Sequence, residues 1–121
     1  MKARDAALRL RRFDVNDKAR KVEDLESMIR DFEQMAVDLN RQVAIEEDRT
    51  GIKDPLHFSY STFAKAAATR RANLIASVDD LRVKLDLAKG AHAESLAELQ
   101  KLETVEVRDV ADFDGAFKRM K

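Results

Sequence analysis

The chain has 121 residues, 38% of them charged, with three Gly, one Pro and neither Trp nor Cys. There is room for one domain, and a mix rich in Ala, Leu, Glu, Asp, Lys and Arg favours long helices over a globule that encloses a small-molecule pocket, so an enzyme is not expected. Basic and acidic residues balance at 23 each, which argues against bulk electrostatic capture of nucleic acid, and the missing cysteines exclude disulfides and thiolate metal sites.

The start, Met1-Lys2-Ala3-Arg4-Asp5, is charged and predicts no secretory signal; no apolar run approaches the ~18 residues of a membrane span. A cytoplasmic chain without membrane insertion is expected. The first predicted helix covers about residues 3–48. Its seam is Val22, Leu25, Ile29, Phe32, Ala36, Leu39 and Val43, spaced alternately by three and four, the period of a supercoiled helix. Met28 and Met35 lie beside it and widen it. Toward the N-terminus Leu8 and Val15 keep the phase, but Arg4, Arg11 and Lys18 fill the alternate positions. Leu10 and Phe13 fall off the phase altogether.

Residues 49–59 form the predicted tip. Gly51 suits a helix C-terminal cap, and Asp54-Pro55 suits an N-cap followed by proline. A short helical turn is expected through Leu56, His57 and Phe58, with Ser59 or Ser61 capping the next helix. The aromatics Phe58, Tyr60 and Phe63 are expected to close the bend by packing on Val43 and Leu39. The alternative is a tip that displays an aromatic side chain to a partner.

The second predicted helix covers about residues 60–104. From Tyr60 its repeat runs Ala64, Ala67, Arg71, Leu74, Val78, Leu81, Leu85, Ala88, His92, Ser95, Leu99 and Leu102. Charge orients the two helices. Residues 1–21 carry eight basic and three acidic side chains, 22–48 two and nine, 60–89 six and three, and 90–107 one and four. Antiparallel pairing sets opposite signs against each other, whereas parallel self-pairing stacks like on like. The fold class read from the sequence is therefore all-α, two long helices forming an antiparallel coiled-coil hairpin over residues 1–104, each arm roughly 70 Å long at ~1.5 Å per residue. Facing residues have numbers that sum to about 108.

That register sets Arg11 and Lys18 against the stretch holding Gly90, His92 and Ser95, a weak zone. Either Arg11 reaches Glu94 or Glu98 and the seam tolerates it, or the segment is kept polar for a partner. Beyond Thr104, Val105, Val107, Val110 and Gly115 lower helix propensity. Residues 105–121 therefore read as a tail, disordered or ordered by a partner. Its stripe of Val110, Phe113, Phe117 and Met120 either folds back on the open end or serves as a binding segment.

His57 and His92 lie in different elements with no companion ligand at helical spacing, so no metal is expected. No nucleophile is set among activating partners and no glycine-rich phosphate loop occurs, so no cofactor is expected either. The basic stretch Lys2, Arg4, Arg9, Arg11, Arg12, Lys18, Arg20 and Lys21 either pairs with the acidic strip 90–107 or docks to an acidic protein surface. Few aromatics accompany it, so nucleic acid is not an expected partner.

Lys2-Ala3-Arg4-Asp5 through Arg9-Leu10-Arg11-Arg12-Phe13 resembles the FliJ family of bacterial flagellar export coiled-coil proteins. So do Phe32-Glu33-Gln34-Met35-Ala36 with Leu39, Glu46-Glu47, and Gly51-Ile52 with Asp54. His57-Phe58-Ser59-Tyr60 and Ala66-Ala67-Ala68-Thr69-Arg70-Arg71-Ala72-Asn73-Leu74 extend the likeness, which covers about residues 2–103; the tail departs from the family. The resemblance implies a non-enzymatic, stalk-like component of type III flagellar export at the cytoplasmic face of the flagellar base. Its open end enters the hexameric export ATPase, and it also meets the export gate protein and export chaperones. On this chain the matching end holds Arg4, Arg9, Arg11 and Arg12 opposite Glu94, Glu98 and Glu103. Two other readings stay open: a hairpin entering the RNA polymerase secondary channel with Glu46, Glu47, Asp48 and Asp54 at its tip, and a generic scaffold coiled coil.

Overall fold

A computed structural model describes the backbone of residues 2–120 and the side chains of residues 3–105. The protein is an all-α helical hairpin in which two long helices, α1 (Lys2–Thr50) and α2 (Thr62–Met120), pack against each other. No glycine or proline interrupts α1, and an apolar stripe buried along each helix supplies the stability that propensity alone does not. Among the described residues no helix is long and apolar enough to cross a membrane.

The helices form two compact units. Unit 2, Asp24–Leu85, contains the bend. Its seam buries Leu25, Ile29, Ala36 and Leu39 of α1 with Ala64, Ala67, Val78 and Leu81 of α2, while Val22 at the neighbouring boundary, Phe32, Val43, Leu74 and Leu85 are half-buried. The pairing is antiparallel. Tyr60 bonds Glu47 and Ser61 bonds Glu46, pairs whose numbers sum to 107, and Arg82 reaches diagonally to Glu33 at 2.8 Å.

Unit 1 comprises Met1–Glu23 and Asp86–Lys121. Leu8, Val15 and Leu99 form its apolar cluster, with Leu102 packed against it. Arg11 bonds Glu98 and Ser95 bonds Asp14, so facing numbers sum to 109 and this unit is antiparallel too.

α2 runs to Met120 instead of stopping near residue 104 as the sequence suggested. Propensity is a weak prior, and isolated β-branched residues or one glycine lower helicity without ending a helix. The side chains of Val110, Phe113, Phe117 and Met120 lie outside the described residues.

The bend also differs from expectation. Gly51 takes a left-handed conformation (φ 73°) and its N–H bonds the Glu47 carbonyl at 2.9 Å, closing α1 with a one-bond cap that disfavours any side chain at residue 51. Instead of a helical turn through Leu56–Phe58, two successive turns follow. Asp54 accepts the N–H of Leu56 on its carboxylate and the N–H of His57 on its carbonyl, both at 3.0 Å, with Pro55 between. His57 then accepts the N–H of Ser59 on Nδ1 and the N–H of Tyr60 on its carbonyl, again at 3.0 Å. Side-chain and backbone acceptors at Asp54 and His57 satisfy these donors locally, which removes the need for a helix. Ser61, not Ser59, caps α2, its Oγ accepting the Ala64 N–H at 3.2 Å.

Candidate functional site

Unit 1 carries the residues singled out by charge. On α1, Leu8 and Val15 face the seam. Leu10 and Phe13 lie at other helical phases and point away from it, 73% and 65% exposed. Arg4 and Arg9 are also exposed. The result is an outer face on which two large apolar side chains sit beside the guanidinium group of Arg9. The sequence signal for it was the pair of apolar residues that broke the heptad phase.

Arg11 and Arg12 do something different. Arg11 donates to Glu98, and Arg12 Nε lies 3.7 Å from Glu103 Oε1. Both guanidiniums thus tie α1 to α2, as the pairing alternative anticipated, while Glu94 is exposed and makes no ion pair among the described residues. The six predicted docking residues therefore divide: Arg9 and Glu94 are exposed, Arg4 is exposed at a seam position, Arg11 and Glu98 bond each other, and Arg12 forms an ion pair with Glu103. A surface groove of about 390 Å³ follows the same edge, lined by Ala7, Arg11, Glu98, Lys101, Leu102 and Val105.

Beneath this face the weak zone is bonded. Ser95 is 2% exposed and donates its hydroxyl proton to Asp14 Oδ2 at 2.7 Å. Lys18 approaches the same oxygen at 3.0 Å. The Ser95 bond, then the Lys18 bond, hold the Asp14 carboxyl below its usual range, against a smaller opposing effect of burial. Gly90 stands outside the seam, and a Cβ there would meet nothing within 4 Å.

In unit 2 the tip aromatics do not close the bend together. Phe58 is 94% exposed and Phe63 57%, and Leu56, two residues before Phe58, is 93% exposed. Only Tyr60 is half-buried, its hydroxyl donating to Glu47 Oε2 at 3.1 Å. The reason is phase and position: Phe63 stands one residue off the phase of the buried Ala64 and Ala67, and Phe58 lies in the turn ahead of α2. Hydrogen bonds close the bend instead. Glu46 accepts from Ser61 at 2.9 Å and takes both arms of Arg49, at 2.6 and 3.1 Å. These bonds, Arg49 first and Ser61 second, depress the Glu46 pKa, while burial and then Glu47 raise that of Tyr60. The Phe58 ring stacks on His57 with centroids 4.7 Å apart. Leu56 was missed by the sequence reading because its turn was assigned to a helix.

Among the described residues no cluster of three or more His, Cys, Asp or Glu could hold a metal ion. Comparison with protein-family models, curated proteins and solved structures finds no match to the chain.

Proposed function

We propose that the chain is a non-enzymatic docking protein that works through the outer face of unit 1, as a stalk-like component of flagellar protein export. Its partner in this reading is the hexameric export ATPase, with further contacts to the export gate and export chaperones at the cytoplasmic face of the flagellar base. The observation that carries the reading is the exposure of Leu10 and Phe13 beside Arg9. Apolar anchors beside a cation suit an acidic protein surface, with the anchors supplying affinity and the charge orientation. The likeness of Arg4–Phe13 to the FliJ family points the same way.

Arg11 and Arg12 are poor residues for testing it, since reversing them also sets like charges against Glu98 and Glu103. The cleaner variant changes outward-facing side chains only: Arg9→Glu with Leu10→Ser and Phe13→Ser. Binding to the purified export ATPase should weaken by about tenfold or more, and motility should fall, while circular-dichroism melting stays within about 0.5 kcal/mol of the parent. A variant that binds the ATPase as tightly as the parent refutes the reading.

The polymerase alternative fares less well on the geometry. Each of its four acids is engaged within the chain: Glu46 by Arg49 and Ser61, Glu47 by Tyr60, Asp48 by Lys53 at 3.5 Å, and Asp54 by the Leu56 N–H. Carboxylates so occupied are poorly placed to ligate a catalytic metal in another enzyme.

A further inference from the structure

Leu56 and Phe58 are the two most exposed large apolar residues among those described, 93% and 94%. Single exposed apolar side chains are ordinary; two of them two residues apart on a turn held from both sides are not. The turn is fixed by the Asp54 bonds to Leu56 and His57 and by the His57 bonds to Ser59 and Tyr60. Pro55 restricts the backbone ahead of Leu56. The Phe58 ring is further held by the stack on His57. Tyr60 to Glu47 and Ser61 to Glu46 anchor the far side of the turn to the last turns of α1. The knob is thus ordered before it meets anything, and a preorganised apolar anchor loses little freedom on binding.

Charge selects what it meets. Between Glu46 and Ser61 stand four acids and two bases, Arg49 and Lys53. Arg49 pairs with Glu46 and Lys53 with Asp48, so the excess negative charge rests on Glu47 and Asp54 at the base of the knob. An anionic bilayer surface is repelled by that charge. A protein pocket with a basic rim is attracted by it.

We infer that the tip of unit 2 is a docking site in which Leu56 and Phe58 enter an apolar pocket, rimmed by Lys or Arg, on a folded partner protein. The site is separate from the unit 1 face and does not rest on the export reading.

The test begins with the full chain carrying the photo-crosslinker p-benzoyl-phenylalanine at position 58, expressed in its native cells. One adduct with another protein is expected, and that protein is then identified and purified. The Leu56→Ser/Phe58→Ser double variant should bind it about 30-fold more weakly, with unchanged thermal unfolding because both side chains are exposed. Charge reversal by Asp54→Lys should weaken binding further at low salt than at high salt. Four results overturn the inference: no adduct, an adduct only with a second copy of this chain, equal binding by parent and double variant, or cosedimentation of the parent with phosphatidylcholine vesicles that the double variant loses.

Discussion

Unit 2 and unit 1 share one repeat and use it differently. In unit 2 the buried seam is apolar: Leu25, Ile29, Ala36 and Leu39 meet Ala64, Ala67, Val78 and Leu81. In unit 1 a short apolar cluster of Leu8, Val15 and Leu99 adjoins a polar layer in which buried Ser95 serves Asp14. Apolar burial is non-directional and scales with area, at about 25 cal/mol per Å²; it stabilises without specifying register. A buried hydroxyl bonded to one carboxylate is directional and ties the two helices at one height. One part of the hairpin is therefore built for strength and the other for alignment.

The largest test of this contrast is a pair of truncations at equal burial. Leu81 and Leu99 are each 8% exposed. Leu81→Ala should cost about 3 kcal/mol and Leu99→Ala about 2 kcal/mol by chemical denaturation, because a cavity beside the polar layer is more readily hydrated. Equal costs would erase the distinction between the seams.

A smaller effect sharpens it from the other side. Gly90 in unit 1 is helical with open space where a Cβ would go, so Gly90→Ala should stabilise by about 0.5–1 kcal/mol. A thermal melt that fails to rise would mean that the unit 1 part of α2 is not limited by backbone entropy.

The smallest effects concern pH, and here the units should part company. Asp14 in unit 1 and Glu46 in unit 2 both have lowered pKa values. Each favours the fold above the ordinary carboxylate range, and that contribution is lost as the pH falls through the folded-state pKa. Tyr60, in unit 2 alone, has a raised pKa; its contribution is present below the ordinary phenol range and lost as the pH rises through its folded-state value. Hydrogen exchange followed against pH should show an acid limb in both units and an alkaline limb in unit 2 only. Ser95→Ala should shrink the acid limb of unit 1, and Tyr60→Phe should abolish the alkaline one. An alkaline limb that survives Tyr60→Phe assigns it to another group.

The seam was legible because period alone determines it. Apart from Arg11, every position of the two repeats from Leu8 to Val43 and from Tyr60 to Leu102 is buried or half-buried, and Arg11 escapes by reaching Glu98. The register was legible from charge blocks for the same reason: long stretches average out local detail. The tip was not. Its closure depends on Tyr60 finding Glu47 and Ser61 finding Glu46 across 13 and 15 residues, and no periodicity reports such pairs. The exposure of Phe58 follows from a turn held by the local bonds of Asp54 and His57, which the sequence reading assigned to a helix. Of the outward face in unit 1, Leu10 and Phe13 left a trace as phase-breakers, but the internal engagement of Arg11 and Arg12 required knowing which acid each one meets.

The Ser95–Asp14 bond has a consequence for how this molecule can change length over generations. Deleting one residue from either helix between that bond and the bend rotates everything beyond it by about 100° and turns the seam residues out. Deleting a heptad from one helix restores the face but leaves the hydroxyl about 10 Å from its carboxylate. Only matched steps of seven residues, taken together from α1 and α2, preserve both. Relatives of this chain should therefore differ in length by paired heptads, a quantised inheritance imposed by one buried serine.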